Sequence, residues 1–260
     1  MKILVTFAIE NEFAPWREAH EFRPARWGGG EVFVTEFRGA EVGVVLTGAG
    51  PKHAAAAAFH VLQGEHDAIG LCVSSGLAGA LRPEYRVGQI LAARAVRPHF
   101  DRGGGSLEPL KSSPALLSFA AESGATLVEM LCTSGRVLST AAEKRRLGAE
   151  GEAVEMESFE ILRRAEECGI PAVAIRAVSD LADQDLPFDM NEIFTENGQV
   201  SVPRVLALMA RHPNALPAVM KLGQDSKAAA AELSRFLDRF VARVSEAAGT
   251  LETRADAARQ

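Results

Sequence analysis

A chain of 260 residues with 47% hydrophobic content can bury one large core, so a single domain is expected. The net charge of −6 is spread along the chain without a basic block, which argues against nucleic acid as a partner. Three cysteines, Cys72, Cys132 and Cys168, lack metal-ligand spacing and cannot pair evenly, as expected in a reducing, cytoplasmic setting.

The apolar run Lys2–Ala8 is too short for a membrane span, and no transmembrane segment is expected elsewhere. It predicts a first strand. Glu10 and Glu12 follow at once and open a helix carrying Phe13 and Trp16. Acids in a first helical turn suit the helix dipole, which is the plainest reading of both. Gly28–Gly30 predicts a turn, and Val32–Phe37 and Val42–Thr47 predict a hairpin. Thr47-Gly-Ala-Gly-Pro51 then leads into an alanine-rich helix from His53 to about Gln63. Its glycines suggest a dinucleotide fingerprint, but His53 stands where the third glycine belongs, and the preceding unit is a hairpin. A glycine turn that brings backbone amides to a small polar or anionic ligand fits better.

Ala68–Ser74 is continuously apolar and predicts a central strand. Ser75-Gly-Leu-Ala-Gly79 reads as a second glycine turn at its carboxyl end. Val87–Ala93 predicts a strand, Asp101–Ser106 a loop, Pro114–Ser123 a helix, Thr126–Thr133 a strand and Ala141–Gly148 a helix. The densest cluster of charge comes next. Ala153–Ser158 contains Glu155 and Glu157. A helix with Phe159, Leu162 and Ala165 facing inward follows, and the buried strand Ala172–Ile175 delivers Arg176, Ser179 and Asp180 to its end. Open α/β sheets place ligands at such ends, and buried charges there need partners.

Beyond Asp183, Pro187 and Asn191–Gln199 predict a loop. Three helices are expected after it, at Val202–Arg211, Pro213–Leu222 and Ala228–Ala247. The last carries the stripe Leu233, Phe236, Leu237, Phe240, Val241 and Val244. Met209, Met220 and Phe236 are expected in the core. Residues 202–247 form a helical extension of a single domain spanning 1–247, and 248–260 read as a disordered tail. Strands alternating with helices around a hairpin predict a three-layer αβα fold on a mixed β-sheet.

The chemistry-bearing residues are carboxylates without a metal-like histidine cluster, a Walker motif or a nucleophile elbow. Such a set suits cleavage of a glycosyl bond through a cationic transition state, although most acid-rich strand ends are structural. The ordered motifs Glu10-x-Glu12, Thr47-Gly-x-Gly50, Gly76-x-Ala-Gly79 with Val87-Gly88, Val154-Glu-Met-Glu157 and Arg176-Ala-Val-Ser-Asp180-x-Ala-Asp183 resemble the nucleoside phosphorylase/nucleosidase superfamily. The pattern is most similar to the methylthioadenosine/S-adenosylhomocysteine nucleosidases. Asp185-Leu-Pro-Phe188, Arg211-His-Pro-Asn214 and Thr140–Leu147 resemble the hopanoid-associated phosphorylases instead.

The resemblance implies a nucleoside phosphorylase-like fold and a purine nucleoside substrate with a modified 5′ group. It implies no cofactor and a homodimer in which Phe100 and Asp101–Ser106 cap a neighbour's pocket. Asp180, held by Ser179, would protonate the base at N7, for which burial or hydrogen bonding would have to favour its acid form. Glu157, with Met156 and Glu155 beside it, would hold the ribose. Glu12 would activate water, with Arg176 near it. Arg176 could equally be a buried partner of Glu157 or Glu12. Leu138 and Leu77 replace the family's stacking aromatic and small hydroxyl residue, with Gly76 and Ala78 beside the latter. Thr6, Thr47, Gly48, Ser74 and Ser75 could hold water or inorganic phosphate. A carboxylate at Glu12 repels phosphate, which puts hydrolysis ahead of phosphorolysis. A non-catalytic nucleoside-binding protein on the same fold is the alternative of another class.

Overall fold

The computed structural model describes residues 1–65, 69–99 and 107–257. Phe100 and the segment Asp101–Ser106, the expected cap of a neighbour's pocket, lie outside them. The chain runs β1 (Lys2–Phe7), α1 (Glu10–Ala19), β2 (Arg23–Trp27), β3 (Gly30–Phe37), β4 (Ala40–Leu46), α2 (Pro51–Glu65), β5 (Ile69–Ser74) and β6 (Leu77–Ala80). It continues through β7 (Ile90–His99), β8 (Leu110–Lys111), α3 (Pro114–Glu122), β9 (Thr126–Ser134), α4 (Ala141–Leu147), β10 (Ala153–Glu155), α5 (Ser158–Glu167) and β11 (Ala172–Asp180). A 3-10 turn at Met190–Ile193 precedes α6 (Val202–Arg211) and α7 (Leu216–Ala257).

The described strands form one mixed sheet in the order β2-β3-β4-β1-β5-β11-β6-β10-β9-β7-β8. β4, β1, β5 and β11 run parallel, so their carboxyl ends meet on one side. β11 also pairs with β7, antiparallel, through Ala174–Ala177. That second pairing closes β11, β6, β10, β9 and β7 into a small barrel-like ring. All nine residues of β11 are buried, as its apolar run predicts for a strand covered on both faces.

Two cores sandwich the sheet. On one face α2 and α5 contribute Ala54, Ala58, Val61, Phe159, Leu162 and Ala165. On the other, α1, α3 and α7 contribute Phe13, Trp16, Leu116, Leu233, Phe236 and Phe240. The result is the expected αβα arrangement.

Several local expectations are corrected. Leu77–Ala80 is a strand rather than part of a glycine turn, because β11 and β10 hydrogen-bond it from both sides. Arg23–Trp27 pairs with β3 and extends the hairpin into three antiparallel strands. The two expected C-terminal helices are one helix of 42 residues. Pro217 falls in its first turn, where a missing N–H costs nothing, and an isolated glycine such as Gly223 lowers helix stability by only about 1 kcal/mol. The backbone of the expected tail continues this helix to Ala257. Finally, Phe236 is in the core but Met220 is 57% exposed, because α7 meets the body of the protein only beyond its first turns.

Candidate active site

A cavity of about 200 Å³ opens at the carboxyl ends of the parallel strands, lined by residues that follow β1, by β6, by the ends of β10 and β11, and by the segments around Arg136–Leu138 and Phe194. Its charged walls form two groups.

The first is built on Glu12. Ile9 precedes α1 in extended conformation, and Glu12, in the first turn, folds back so that its carboxylate accepts from the amides of Ala8 (2.9 Å) and Ile9 (3.4 Å). This is the reach-back of a capping box. The amide of Leu77 donates to its other oxygen at 3.0 Å, tying α1 to the start of β6. A side chain at Gly76 would put its Cβ 3.2 Å from both carboxylate oxygens, and Gly76 has φ +146°, so glycine serves there twice over. Burial pushes Glu12 up from the ordinary carboxylate range, against the three amides and the charge of Arg176. Glu10, by contrast, is exposed and pairs with Arg17, as a first-turn acid with no other task would.

Glu157 lies opposite and accepts from the amide of Gly50 at 2.8 Å. Its pKa is pushed up to about 8, first by burial, then by the charge of Glu155, with Arg176 only partly opposing. Glu155 has the reverse fate. Burial alone would raise its pKa, but Arg176 (2.5 Å), the Thr133 hydroxyl and the amides of Glu157 and Ser158 together bring it below the ordinary range. Arg176 is completely buried and reaches Glu157 at only 3.7 Å. It does not line the cavity. Arg176 is thus a buried partner of Glu157, as one of the two expectations had it, but Glu155 at 2.5 Å is its nearer partner. Glu155 reaches the cavity wall with every neighbour committed to structure.

The second group is built on Asp180. One carboxylate oxygen pairs with the Nζ of Lys144, and the other lies 2.9 Å from the Ser179 hydroxyl. Lys144 also donates to the carbonyls of Leu181 (2.8 Å) and Gln184 (3.1 Å), so three acceptors surround its ammonium. Asp180 is buried beside the Ser179 hydroxyl, as expected, and also faces a cation that was not expected. It stands in a buried ion pair. Gly79 makes room for it, since a Cβ there would lie 2.9 Å from Oδ1.

Between the two groups the walls are apolar: Ile9, Leu77, Ala78, Ala49, Met156, Leu138 and Phe194. The Phe194–Val200 pairing brings Gly198 against the Gly48–Pro51 turn, where its carbonyl accepts from Ala49 at 2.9 Å. Of the residues suggested for water or phosphate, Thr6, Thr47, Gly48, Ser74 and Ser75 do not line the cavity, nor does Gly76. The Gly48 amide donates to Ala8, and the Thr47 hydroxyl to the Gly48 carbonyl. Among the described residues no group of three His, Cys, Asp or Glu side chains could hold a metal ion. Cys72 and Cys132 are buried, and burial pushes both thiols up to about 12, away from reactivity.

Residues 2–211 match the family model of the Phosphorylase superfamily. The chain belongs to that superfamily. Solved structures agree on the fold. A futalosine hydrolase mutant of Helicobacter pylori superposes with a TM-score of 0.71 at 18% identity, covering 93% of this chain and 98% of that one. The methylthioadenosine/S-adenosylhomocysteine nucleosidase of Neisseria meningitidis, in complex with methylthio-immucillin-A, gives 0.70 at 21% identity, covering 93% and 99%. A mutant of the Helicobacter pylori nucleosidase with 5′-methylthioadenosine in its active site gives 0.70 at 18%, covering 92% and 97%.

In this phosphorylase-superfamily chain the cavity gathers Glu12, Glu155, Met156, Glu157, Leu138, Leu77, Ala78, Ser179 and Asp180 from the expected set. It adds Lys144, Ile9, Ala49, Arg136 and Phe194. Lys144 had a legible signal. It lies three residues before Leu147 on a short helix, on the same inward face, while Arg145 and Arg146 point away. Phe194 had none, because a loop with an isolated bridge carries no periodicity.

Proposed function

We propose that this protein is a nucleosidase that hydrolyses the N-ribosyl bond of a purine nucleoside, and that its substrate is a 5′-modified adenine nucleoside. The observation that carries the reading is the surplus of carboxylate over guanidinium in the first group. Glu12, Glu155 and Glu157 share one cation, Arg176, and that cation is committed to Glu155. A cavity wall of this kind favours a ribosyl cation and disfavours a phosphate dianion. Glu12, fixed by three amides at the cavity edge, is set to orient a water molecule and take its proton. Glu157 faces the same space and suits the ribose hydroxyls, with Met156 packing on the sugar.

Asp180 and Ser179 suit a purine edge at the other group, against Leu138. The apolar walls at Ile9, Ala49, Met156 and Phe194 suit a 5′ substituent without charge. On α6 and the start of α7, Val202, Leu206, Leu216 and Met220 are exposed. A long apolar 5′ group of the kind handled by the hopanoid-associated phosphorylases would find cover there.

Phosphorolysis is the second reading, favoured by one observation. Ser75 Oγ, just beyond β5, and Arg176 Nε, on the neighbouring β11, are buried without a hydrogen-bond partner. The test is a panel of adenosine, methylthioadenosine, S-adenosylhomocysteine and a lipid-linked adenosine, each incubated with and without inorganic phosphate. Adenine and free sugar released in phosphate-free buffer is the expected result. Release that depends strictly on phosphate, with a sugar 1-phosphate as product, overturns hydrolysis. Tight binding without any base released would mark a nucleoside-binding protein.

A further inference from the structure

Lys144 is the most deeply buried cation at the cavity, and the catalytic scheme above makes no use of it. Its side chain is 1% exposed, yet it forms part of the cavity wall. A capping box fixes its position. Thr140 accepts from the Glu143 amide at 3.2 Å and Glu143 accepts from the Thr140 amide at 3.1 Å, so Thr140 caps α4 and sets Lys144 at the fourth helical position. The loop after β11 then wraps the ammonium with the Leu181 and Gln184 carbonyls. Three acceptors match the three hydrogens of an ammonium; a neutral amine would leave one acceptor without a donor. Burying a lysine merely to join a helix to a loop is expensive, because an apolar residue of the same volume would do it without desolvating a charge.

Resting on the nucleosidase reading, we propose that Lys144 is a positioning residue that holds the proton destined for the departing base and delivers it through Asp180. As the C1′–N9 bond breaks, its electron pair moves into the purine ring. One proton leaves Nζ of Lys144 for the Asp180 carboxylate, and the Asp180 proton passes to N7, so the base departs neutral. Lys144 is left as an amine. The water oxygen that bonds to C1′ gives one proton to Glu12. That proton returns through solvent to Lys144 when the products leave, which restores the resting ion pair. The contact between Asp180 and Lys144 gives the proton that leaves Nζ a direct path.

The experiment exploits the leaving group. A 4-nitrophenyl riboside expels a stable phenolate and needs no protonation, whereas adenine does. For Lys144→Met, kcat on the best adenine nucleoside is expected to fall by about 10²–10⁴. On 4-nitrophenyl riboside it should stay within about threefold of the wild type. Equal losses on both substrates, or no loss on either, overturn the inference and leave Lys144 a structural tie. If the variant does not fold, the wild type decides. The ratio of its rates on the adenine nucleoside and on the nitrophenyl riboside should fall as the buffer is made alkaline, because only the first leaving group takes up a proton. A shared pH dependence overturns the proposal. A wild type that cleaves the nitrophenyl riboside but no nucleoside overturns the purine reading itself, a result distinct from either of these.

Discussion

The two charged ends of the cavity balance their charge in opposite ways. At the end built on Glu12, three buried carboxylates share one guanidinium, and burial with mutual repulsion drives Glu12 and Glu157 up while Glu155 keeps its charge. At the end built on Asp180, one carboxylate meets one ammonium. On the proposed hydrolysis, the first suits a cation that forms during the reaction, and the second is a neutral pair with a proton to give. Cleaving a bond between a sugar that becomes positive and a base that becomes negative calls for this polarity, and the sheet supplies it by ending β1 and β10 at one group and β11 at the other.

The sharpest way to break this asymmetry is Glu12→Gln, which keeps the shape and the neighbouring amides but removes the base. A loss of about 10²–10⁴ in kcat is expected, with little change in substrate affinity, measured by steady-state adenine release. Full rate in the variant would remove Glu12 from the mechanism. Next comes Arg176→Met. It strands Glu155 as an unpaired buried charge, so urea denaturation should show a loss of about 3–5 kcal/mol. Adding Glu155→Gln should return part of that stability. If it does not, the pair is not what holds β10 to β11.

A smaller effect probes the other end. Gly79→Ala would set a methyl 2.9 Å from Asp180 Oδ1, and Gly79 has no left-handed backbone to strain. Asp180 must shift, and a misplacement approaching 1 Å can cost up to about 10² in rate. We expect a drop of about tenfold to 10² in kcat/KM on adenine nucleosides, and a melting temperature close to that of the wild type. A variant with unchanged kinetics would show that the position of Asp180 does not limit the reaction.

The same contrast explains what the sequence made legible. The Glu12 end was readable because its acids stand in short motifs at strand ends, where burial without partners signals a task. That Glu155 lies nearer to Arg176 than Glu157 does was not legible, because strand alternation says which face a residue takes, not which of two neighbouring acids is closer. Lys144 belongs to a helix 36 residues before Asp180 in sequence, and only the closure of β11, β6, β10, β9 and β7 into a ring brings the two together. Leu77–Ala80 was lost to Gly76 before it and Gly79 within it. Those glycines clear space for Glu12 and Asp180 and do not turn the chain. The αβα layering was open to reading throughout, since α5, β11 and α7 each carry an unambiguous apolar period.

The smallest expected effect tests the crowded end by stability instead of rate. Glu157 has an ordinary value of 4.5 that burial and Glu155 push up to about 8 in the folded protein. Between those values the folded chain holds a proton that the unfolded chain has released, so this group's contribution to stability falls as pH rises through that window. Each tenfold change in proton affinity is worth about 1.4 kcal/mol. Glu157→Gln abolishes the effect, and at about 2–4 °C per kcal/mol it should melt several degrees above the wild type at pH 9 and close to it at pH 5. Activity should move the other way. The ribosyl cation needs the carboxylate, so wild-type kcat/KM should climb from pH 6 toward pH 8 over the window in which stability declines. Melting curves of the two proteins that stay parallel from pH 5 to 9 would mean that Glu157 is ionised throughout, and that its repulsion with Glu155 is relieved by a neighbour other than Arg176.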